Sequence, residues 1–412
     1  MKTIISTFGP LHLVKTASSL KNKGVEVTLI QGWSPKPLNK YIEKIFSILS
    51  GRKYLNNAFL KRRPVELSSN IKQCSFSEFL IWFLFILHEK TKIISYKTAA
   101  IIGWKLYGIE SCRYVSNADI FHVRAGGGCY SIKKAKKMGM KIIVDHSLAH
   151  PEFLRKQLTP EYERIGLTYD NSGPDALSSL FVKNMQEADV ILVNSSFVKE
   201  TIINEGVEPE KVKVAYLGVR EDFFSLKKEY TYNGKIKILF TGAFNFRKGA
   251  EYILKSLAEL NRREIEYEMI VVGTYESSTS LICKYNISNI KFIGHLPQDQ
   301  LKEYLKTSDI YLFPSLAEGC ASSGMEAMAA GLPVIATYES GLPINNDANG
   351  LLVSSKSVDE IVNAIILLKD NLQMRSNLGI NAAATIKSTY TWSGYAENIL
   401  KIYSELLTSN IG

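Results

Sequence analysis

Several familiar signatures are missing from this chain of 412 residues, and each absence removes a class of function. Its five cysteines, Cys74, Cys112, Cys129, Cys283 and Cys320, are odd in number and scattered. They form no disulfide framework and no Cys-x2-Cys metal pair, which favours a reducing compartment. No Asp-x-Asp pair occurs to hold a divalent ion, and no Gly-x-Gly-x-x-Gly follows the first strand-like run, which argues against a dinucleotide site. The unbroken apolar run Phe79 to Leu87 is nine residues long, against roughly 18 to 20 for a bilayer span. The opening MKTIISTFGPLHL has one lysine and too few apolar residues before Gly9-Pro10 for a secretory signal; it reads as a first strand.

What is present describes an ordered globular protein. Hydrophobic residues make up 46% and charged residues 22%, and the length suits two domains of about 200 residues better than one core. The net charge of +10 is unevenly spread. Residues 1–150 hold 24 Lys/Arg and 8 Asp/Glu, while residues 151–412 hold 26 and 32. An N-terminal excess of this kind points to an anionic partner, a membrane surface or nucleic acid, with a merely solvated basic face as the plain alternative.

Along the N-terminal half, Lys2 to Phe8 reads as a strand, Gly9 to His12 as a turn, Val14 to Lys23 as a helix ended by Gly24, and VEVTLIQGW as a second strand. That βαβ opening predicts a Rossmann-like half. Residues 35–110 mix Lys and Arg with aromatics. For Phe79 to Leu87 a buried helix is favoured over an amphipathic segment on a bilayer, and the cluster Arg52, Lys53, Lys61, Arg62 and Arg63 looks more like the membrane-facing part. Gly126 to Gly128 could cradle an anion, but a plain βα turn is the better reading. His146 and His150 stand four apart, yet no third ligand is evident and Pro151 interrupts a helix, so no metal site is expected.

The C-terminal half is organised around Tyr311 to Pro343. A buried strand ends at Pro314, small residues follow to Gly324, and MEAMAA is helical until Gly331 and Pro333. Ser322, Ser323 and Gly324 therefore stand at a helix N-terminus facing a strand end, where unpaired amides and the helix dipole favour a phosphate. Glu318 and Glu326 bracket that loop, and carboxylates accept hydrogen bonds from sugar hydroxyls. Dipole complementation and loop capping are the ordinary alternatives for the pair. Arg247-Lys248-Gly249 lies between strand Ile236–Phe240 and a helix, where two cations can neutralise a departing diphosphate; a solvated pair is the ordinary alternative. Residues 226–235, with Asn233-Gly234, read as a linker. Trp392, Tyr395, Ile399, Ile402 and Leu406 recur at helical spacing.

Glu318-x7-Glu326 followed by EAMAAGLPVIA resembles the donor site of retaining GT-B glycosyltransferases, the family 4-like "glycosyl transferases group 1". The resemblance implies an α/β fold of two Rossmann-like β/α/β domains facing across a cleft, with a C-terminal helix crossing back to the first. The domains would be 1–225, completed by 390–408, and 236–389. It implies that Glu318 contacts the donor sugar and Glu326 the ribose, and that Arg247 and Lys248 hold the phosphates. His146 would touch the sugar or pyrophosphate, so the catalytic set is Arg247, Lys248, Glu318 and His146. Gly242, Gly273, Gly294, Gly319, Ser322, Ser323 and Gly324 complete the donor site, while Gly9, His12 and His150 belong to the acceptor side. Relatives often carry an aromatic and a Gly where this chain has Cys320 and Ala321, which bears on the sugar accepted; where many have Gly-Arg, it has Gly242-Ala243.

The implied activity is retaining, metal-independent transfer from a nucleoside-diphosphate sugar, a co-substrate, to a saccharide or lipid-linked acceptor in surface polysaccharide assembly (capsule, O-antigen or similar). No cofactor, metal or nucleic acid is expected. The expected place is the cytoplasm, peripheral on the inner face of the cytoplasmic membrane through the basic N-terminal domain. A GT-B epimerase or phosphorylase, and a basic nucleic-acid-binding protein, are the rival readings.

Overall fold

The computed structural model describes residues 1–9, 12–34, 44, 62–67, 69–169, 176–231 and 234–408. The N-terminal unit is built on strands β1 (Lys2–Thr7), β2 (Glu26–Gln31), β3 (Ile71–Gln73), β4 (Ile120–Arg124), β5 (Lys141–His146), β6 (Val190–Val193) and β7 (Val212–Val214). Its helices are α1 (His12–Asn22), α2 (Ser75–Thr91), α3 (Tyr96–Ser111), α4 (Cys129–Lys137), α5 (Pro151–Arg164), α6 (Ala176–Gln186) and α7 (Ser196–Ile203). The C-terminal unit has β8 (Ile236–Thr241), β9 (Tyr267–Val272), β10 (Ile290–Gly294), β11 (Ile310–Phe313), β12 (Val334–Thr337) and β13 (Leu351–Val353). Between and after them run α8 (Ala250–Arg262), α9 (Thr279–Tyr285), α10 (Gln298–Thr307), α11 (Ser322–Ala330), α12 (Val358–Asp370), α13 (Leu372–Thr389) and α14 (Trp392–Thr408).

The first sheet has the order β3-β2-β1-β4-β5-β6-β7 and the second β10-β9-β8-β11-β12-β13, with parallel pairing throughout. Strands covered on both faces must be apolar along their whole length, and Ile310 to Phe313 and Val190 to Val193 are buried at every position. Each sheet reverses its winding once, between β1 and β4 and between β8 and β11. Crevices open there at the strands' carboxyl ends, and ligands of open α/β sheets bind in such crevices.

Helix α14 returns to the first unit. Tyr395, Ile399, Ile402 and Tyr403 share a core with Ile5, Leu13, Val14 and Ala17. Tyr395 Oη meets Thr16 Oγ1 at 3.1 Å, and Tyr403 Oη meets His122 Nδ1 at 2.7 Å. The final helix therefore ties the end of the chain to β4 and α1.

Two expectations for residues 35–110 change. Phe79, Trp82, Phe83 and Ile86 are not buried; their exposures are 48%, 40%, 59% and 52%. The run is apolar all round its helix, but α2 packs through Ser77, Glu78, Ile81 and Leu84, leaving the opposite face open. Of the basic cluster, Arg52, Lys53 and Lys61 lie outside the described residues. Arg62 is paired inward, 2.5 Å from Glu78, and Arg63 donates to the Ser34 carbonyl at 2.9 Å. Neither arginine is a free surface charge. No helix of the described residues is long and apolar enough to cross a membrane.

Candidate active site

In the second unit two loops at the carboxyl ends of adjacent strands are clamped together. After β8 the chain turns at Gly242, with φ +121°, and passes through a short 3-10 turn at Phe246–Lys248 capped by Asn245, whose side chain accepts from the Lys248 amide at 3.0 Å. A Cβ on Gly249 would stand 2.1 Å from the Pro314 carbonyl oxygen, so only glycine lets this turn lie on the end of β11. The loop after β11 is bonded to it. The Leu316 amide donates to the Arg247 carbonyl at 2.8 Å, and Arg247 Nη1 donates to the Ala317 carbonyl at 2.6 Å.

That clamp brings three predicted residues together. Arg247 Nη1 lies 2.7 Å and Lys248 Nζ 3.0 Å from the same oxygen, Glu318 Oε1. Both are close enough for ion pairing, but neither is aligned as a hydrogen bond, and Oε1 is left without one. Lys248 Nζ also sits 5.1 Å above the Phe313 ring. The Cβ direction of Gly242 meets only Lys248 Nζ, at 3.8 Å.

Helix α11 starts immediately beyond. Its amides at Ser322, Ser323 and Gly324 precede the first intrahelical bond, from Met325 to the Ala321 carbonyl. Two of the expected anion contacts differ in detail. Ser323 Oγ is committed inward, donating to the Thr241 carbonyl at 3.1 Å and accepting from Tyr311 Oη at 2.9 Å. Gly324 is small because Leu342 packs against it, a Cβ there lying 2.6 Å from Leu342 Cδ1. Their amides, not their side chains, remain for an anion. Glu326, in the first turn, has no hydrogen-bond partner among the described residues; burial pushes its carboxyl up to about 7, with Arg220 pulling the other way. Gly273 and Gly294 pair as an isolated bridge, and a Cβ on Gly273 would lie 2.0 Å from the Gly242 carbonyl oxygen, so Gly273 supports the first turn from below.

The facing surface belongs to the first unit. His146 ends β5 and lines a cavity of about 160 Å³ with Arg124, Asp145, Tyr169 and Phe181. It is buried, and its Nε2 has no partner. Burial, assisted by His150, lowers its pKa to about 4, which keeps the ring neutral at pH 7. Burial alone would raise the Asp145 carboxyl, but His12 and His122 outweigh it and hold the group below the usual carboxylate range. His12 Nε2 is 3.0 Å from Asp145 Oδ2, and Ser147 Oγ donates to Oδ1 at 2.8 Å.

The two surfaces touch. Ser195 Oγ donates to the Gly319 carbonyl, and a Cβ on Gly319 would stand 1.9 Å from the Ser147 carbonyl oxygen. The residue after Glu318 thus abuts the residue after His146. Gly9, with φ +91°, and His12 stand at the end of β1 on the same side of the first sheet as His146.

His150 does not join this set. It caps α5, Nδ1 accepting from the Glu152 amide at 3.3 Å, which Pro151 at the first helical position accounts for. The Gly126–Gly128 turn holds no anion either, because Asn184 Oδ1 accepts from the Gly126 and Gly128 amides at 2.9 and 3.0 Å. Arg124 and Asp145 were missed from sequence. Each ends or nearly ends a central strand, β4 or β5, and a charged residue closing an otherwise apolar parallel strand was the available signal.

Comparison with known proteins fits this geometry. Residues 222–385 match the family described as Glycosyl transferases group 1. An uncharacterized glycosyltransferase of Methanocaldococcus jannaschii is 23% identical over 355 residues, covering 81% of this chain and 83% of the relative. The amylovoran biosynthesis glycosyltransferase AmsK of Erwinia amylovora is 29% identical over 61% of this chain and 61% of its own length. Among solved structures, Anabaena HepE in complex with UDP and glucose superposes with a TM-score of 0.64 at 14% identity, covering 98% of this chain and 100% of that one.

Proposed function

The chain belongs to the GT-B glycosyltransferases of group 1, and on that premise we propose that it transfers a sugar, with retention, from a nucleoside diphosphate to a saccharide or lipid-linked acceptor. The observation that carries this reading is the convergence of Arg247 and Lys248 on Glu318, in the loop that leads into the N-terminus of α11. Two fixed cations and a helix N-terminus bind a diphosphate and stabilise the charge that grows on it as it leaves. In that role they need no bridging metal ion, and activity should survive a chelator.

When the diphosphate takes the two cations, Glu318 is released to accept from donor-sugar hydroxyls. Glu326, half-buried and without a hydrogen-bond partner among the described residues, accepts from the ribose. Gly242 leaves room beside Lys248 for the pyrophosphate, and Gly273, Gly294 and Gly319 shape the walls. His146 offers an unpaired nitrogen to the sugar or pyrophosphate from the opposite side. Gly9 and His12 border the acceptor's approach. The acceptor hydroxyl attacks C1 on the face the diphosphate leaves: the C1–O bond to phosphate breaks, the new glycosidic bond forms, and a phosphate oxygen takes the hydroxyl proton.

The sequence likeness to an amylovoran biosynthesis enzyme supports a place in surface polysaccharide assembly, and the N-terminal excess of 24 Lys/Arg over 8 Asp/Glu supports work at an anionic membrane surface, on the cytoplasmic side. The test is a thermal-shift panel of UDP, GDP, ADP and their sugar conjugates on wild type and Glu326→Ala, followed by NMR of the product. One diphosphate series should stabilise the wild type and lose most of its effect in the variant, and the product should keep the donor's anomeric configuration. No shift with any nucleotide would overturn the donor assignment, and an inverted product would overturn the mechanism.

A further inference from the structure

Half of the exposed large hydrophobic side chains among the described residues fall between Phe76 and Ile109, in α2, α3 and their connection. Phe76, Phe79, Phe83 and Ile86 recur at helical spacing on one face of α2, with Trp82 beside them, at 40% to 66% exposure. At the hairpin tip Ile93 is 78% exposed, and Tyr96, 59% exposed, stacks on Phe85 at 4.7 Å. The hairpin itself is tightly built. Gly103 of α3 meets Ile81 so closely that a Cβ would lie 2.2 Å from its Cδ1, so the inner face is complete and the outer face is surplus to folding. Folded chains seldom leave a contiguous apolar patch of this kind without a use for it.

We infer that the outer face of the α2–α3 hairpin is a docking surface for an anionic lipid bilayer, lying in the interface without crossing it. Three observations favour lipid over a protein partner. The face carries Phe, Trp, Tyr and Ile with no charge from Phe79 to Leu87, while exposed Lys90 and Lys92 follow at its end and Lys133, Lys136 and Lys137 of α4, the helix packed beside α3, are also exposed. Aromatic residues rimmed by lysines suit the headgroup boundary. The acids nearby do not cancel this charge: Glu78 is buried against Arg62, and Glu110 accepts from the Phe76 and Ser77 amides, leaving Glu89 as the exposed one on α2.

The third observation is continuity with the cleft. Trp104 of α3 packs against Phe8 at 5.2 Å and Phe181 at 6.3 Å, and the Arg124 guanidinium sits 5.3 Å from its ring. Phe181 and Arg124 line the His146 cavity. Docking the hairpin therefore brings the acceptor side of the cleft to the membrane, where a lipid-linked acceptor keeps its tail in lipid and offers its sugar to the site. This orientation rests on the glycosyltransferase reading above; the lipid affinity of the hairpin does not.

The experiment is sedimentation of the full chain with neutral phosphatidylcholine vesicles and with vesicles containing about 30% phosphatidylglycerol, at low salt and at about 0.5 M salt. Wild type, Phe79→Glu/Phe83→Glu and Lys90→Glu/Lys92→Glu are compared, with nucleotide thermal shifts run on all three. Wild type should favour the anionic vesicles, with Trp82 fluorescence shifting to the blue. The phenylalanine pair should lower partitioning by roughly tenfold or more, and the lysine pair by several-fold while narrowing the difference between lipids. Vesicle binding with no nucleotide shift would support the surface and sink the donor assignment. No vesicle binding with the nucleotide shift intact, or equal binding by wild type and the phenylalanine pair, overturns the inference. So does concentration-dependent dimerisation that Phe79→Glu/Phe83→Glu abolishes, since that assigns the face to a second copy of the chain.

Discussion

Replacing Glu326 by Gln separates what the site needs from what the fold needs. In the unfolded chain this carboxyl ionises near 4.5; in the folded chain burial raises it to about 7. Between those values the folded protein keeps a proton that the unfolded chain gives up. Stability therefore falls as pH rises through that window and is level above it. The gap corresponds to about 3 kcal/mol at full weight, and partial exposure of Glu326 reduces it to about 1–3 kcal/mol. Glu326→Gln keeps the shape and removes the ionisation. At pH 8 the variant should be more stable than wild type, with Tm raised by roughly 3–8 °C for a domain of this size. Near pH 4, where wild type is protonated in both states, the two should coincide. The same substitution should weaken nucleoside-diphosphate binding by about tenfold or more, because on the proposed function the carboxylate that would accept from the ribose is replaced by a neutral amide. Scanning calorimetry at both pH values, with and without nucleotide, reads all of this. A variant less stable at both pH values, or equally stable at pH 8 with unchanged binding, would refute the reasoning.

Gly319→Ala places a methyl group 1.9 Å from the Ser147 carbonyl oxygen; it should lower kcat/KM by about a hundredfold through misplacement of Glu318 while circular dichroism stays native. Tyr403→Phe removes the 2.7 Å contact with His122 and should cost about 1–2 kcal/mol in urea unfolding without altering nucleotide binding. His146 gives the opposite pH signature from Glu326: its folded pKa of about 4 lies below the 6.5 of an ordinary imidazole, so stability is lost as pH falls through that range, by up to about 3 kcal/mol. His146→Phe should flatten that acid-side loss, which thermal melts between pH 4 and 6.5 would record.

The second domain was far more legible from sequence than the first, and the reason is physical. The residues proposed for the donor are concentrated in two short loops, Arg247 to Gly249 and Glu318 to Glu326, each bounded by an apolar strand and a helix start, so strand-end position and residue type can be read together. In the first domain the cleft residues Arg124, Asp145, His146 and His12 come from three strand ends scattered over 130 residues, and no local spacing links them. His150 misled because a histidine after a strand end looks the same whether it faces a cleft or caps a helix; only the Glu152 amide on its Nδ1 decides. Phe79 to Leu87 misled for a related reason. Sequence shows that a helix is apolar, but its exposure depends on how many neighbours it has, and α2 is covered on one face only.

The pairing of Glu318 with Arg247 and Lys248 also bears on how the proposed site would work. Arg247 and Lys248 both converge on Glu318 Oε1, so on the proposed reading the acid that would bind sugar hydroxyls is paired with the two cations that would bind phosphate. The pairing keeps three poorly solvated charges from standing alone, which would cost several kcal/mol. On the proposed function, diphosphate and Glu318 would compete for the same cations, so the carboxylate would be freed by the nucleotide that brings the sugar. Gly319, packed against Ser147 and accepting from Ser195, holds the backbone next to Glu318, so in such an exchange the carboxylate would move by rotation about its own side-chain bonds. Donor binding and assembly of the reacting geometry then become one event, and free sugar should gain little from the site without its diphosphate.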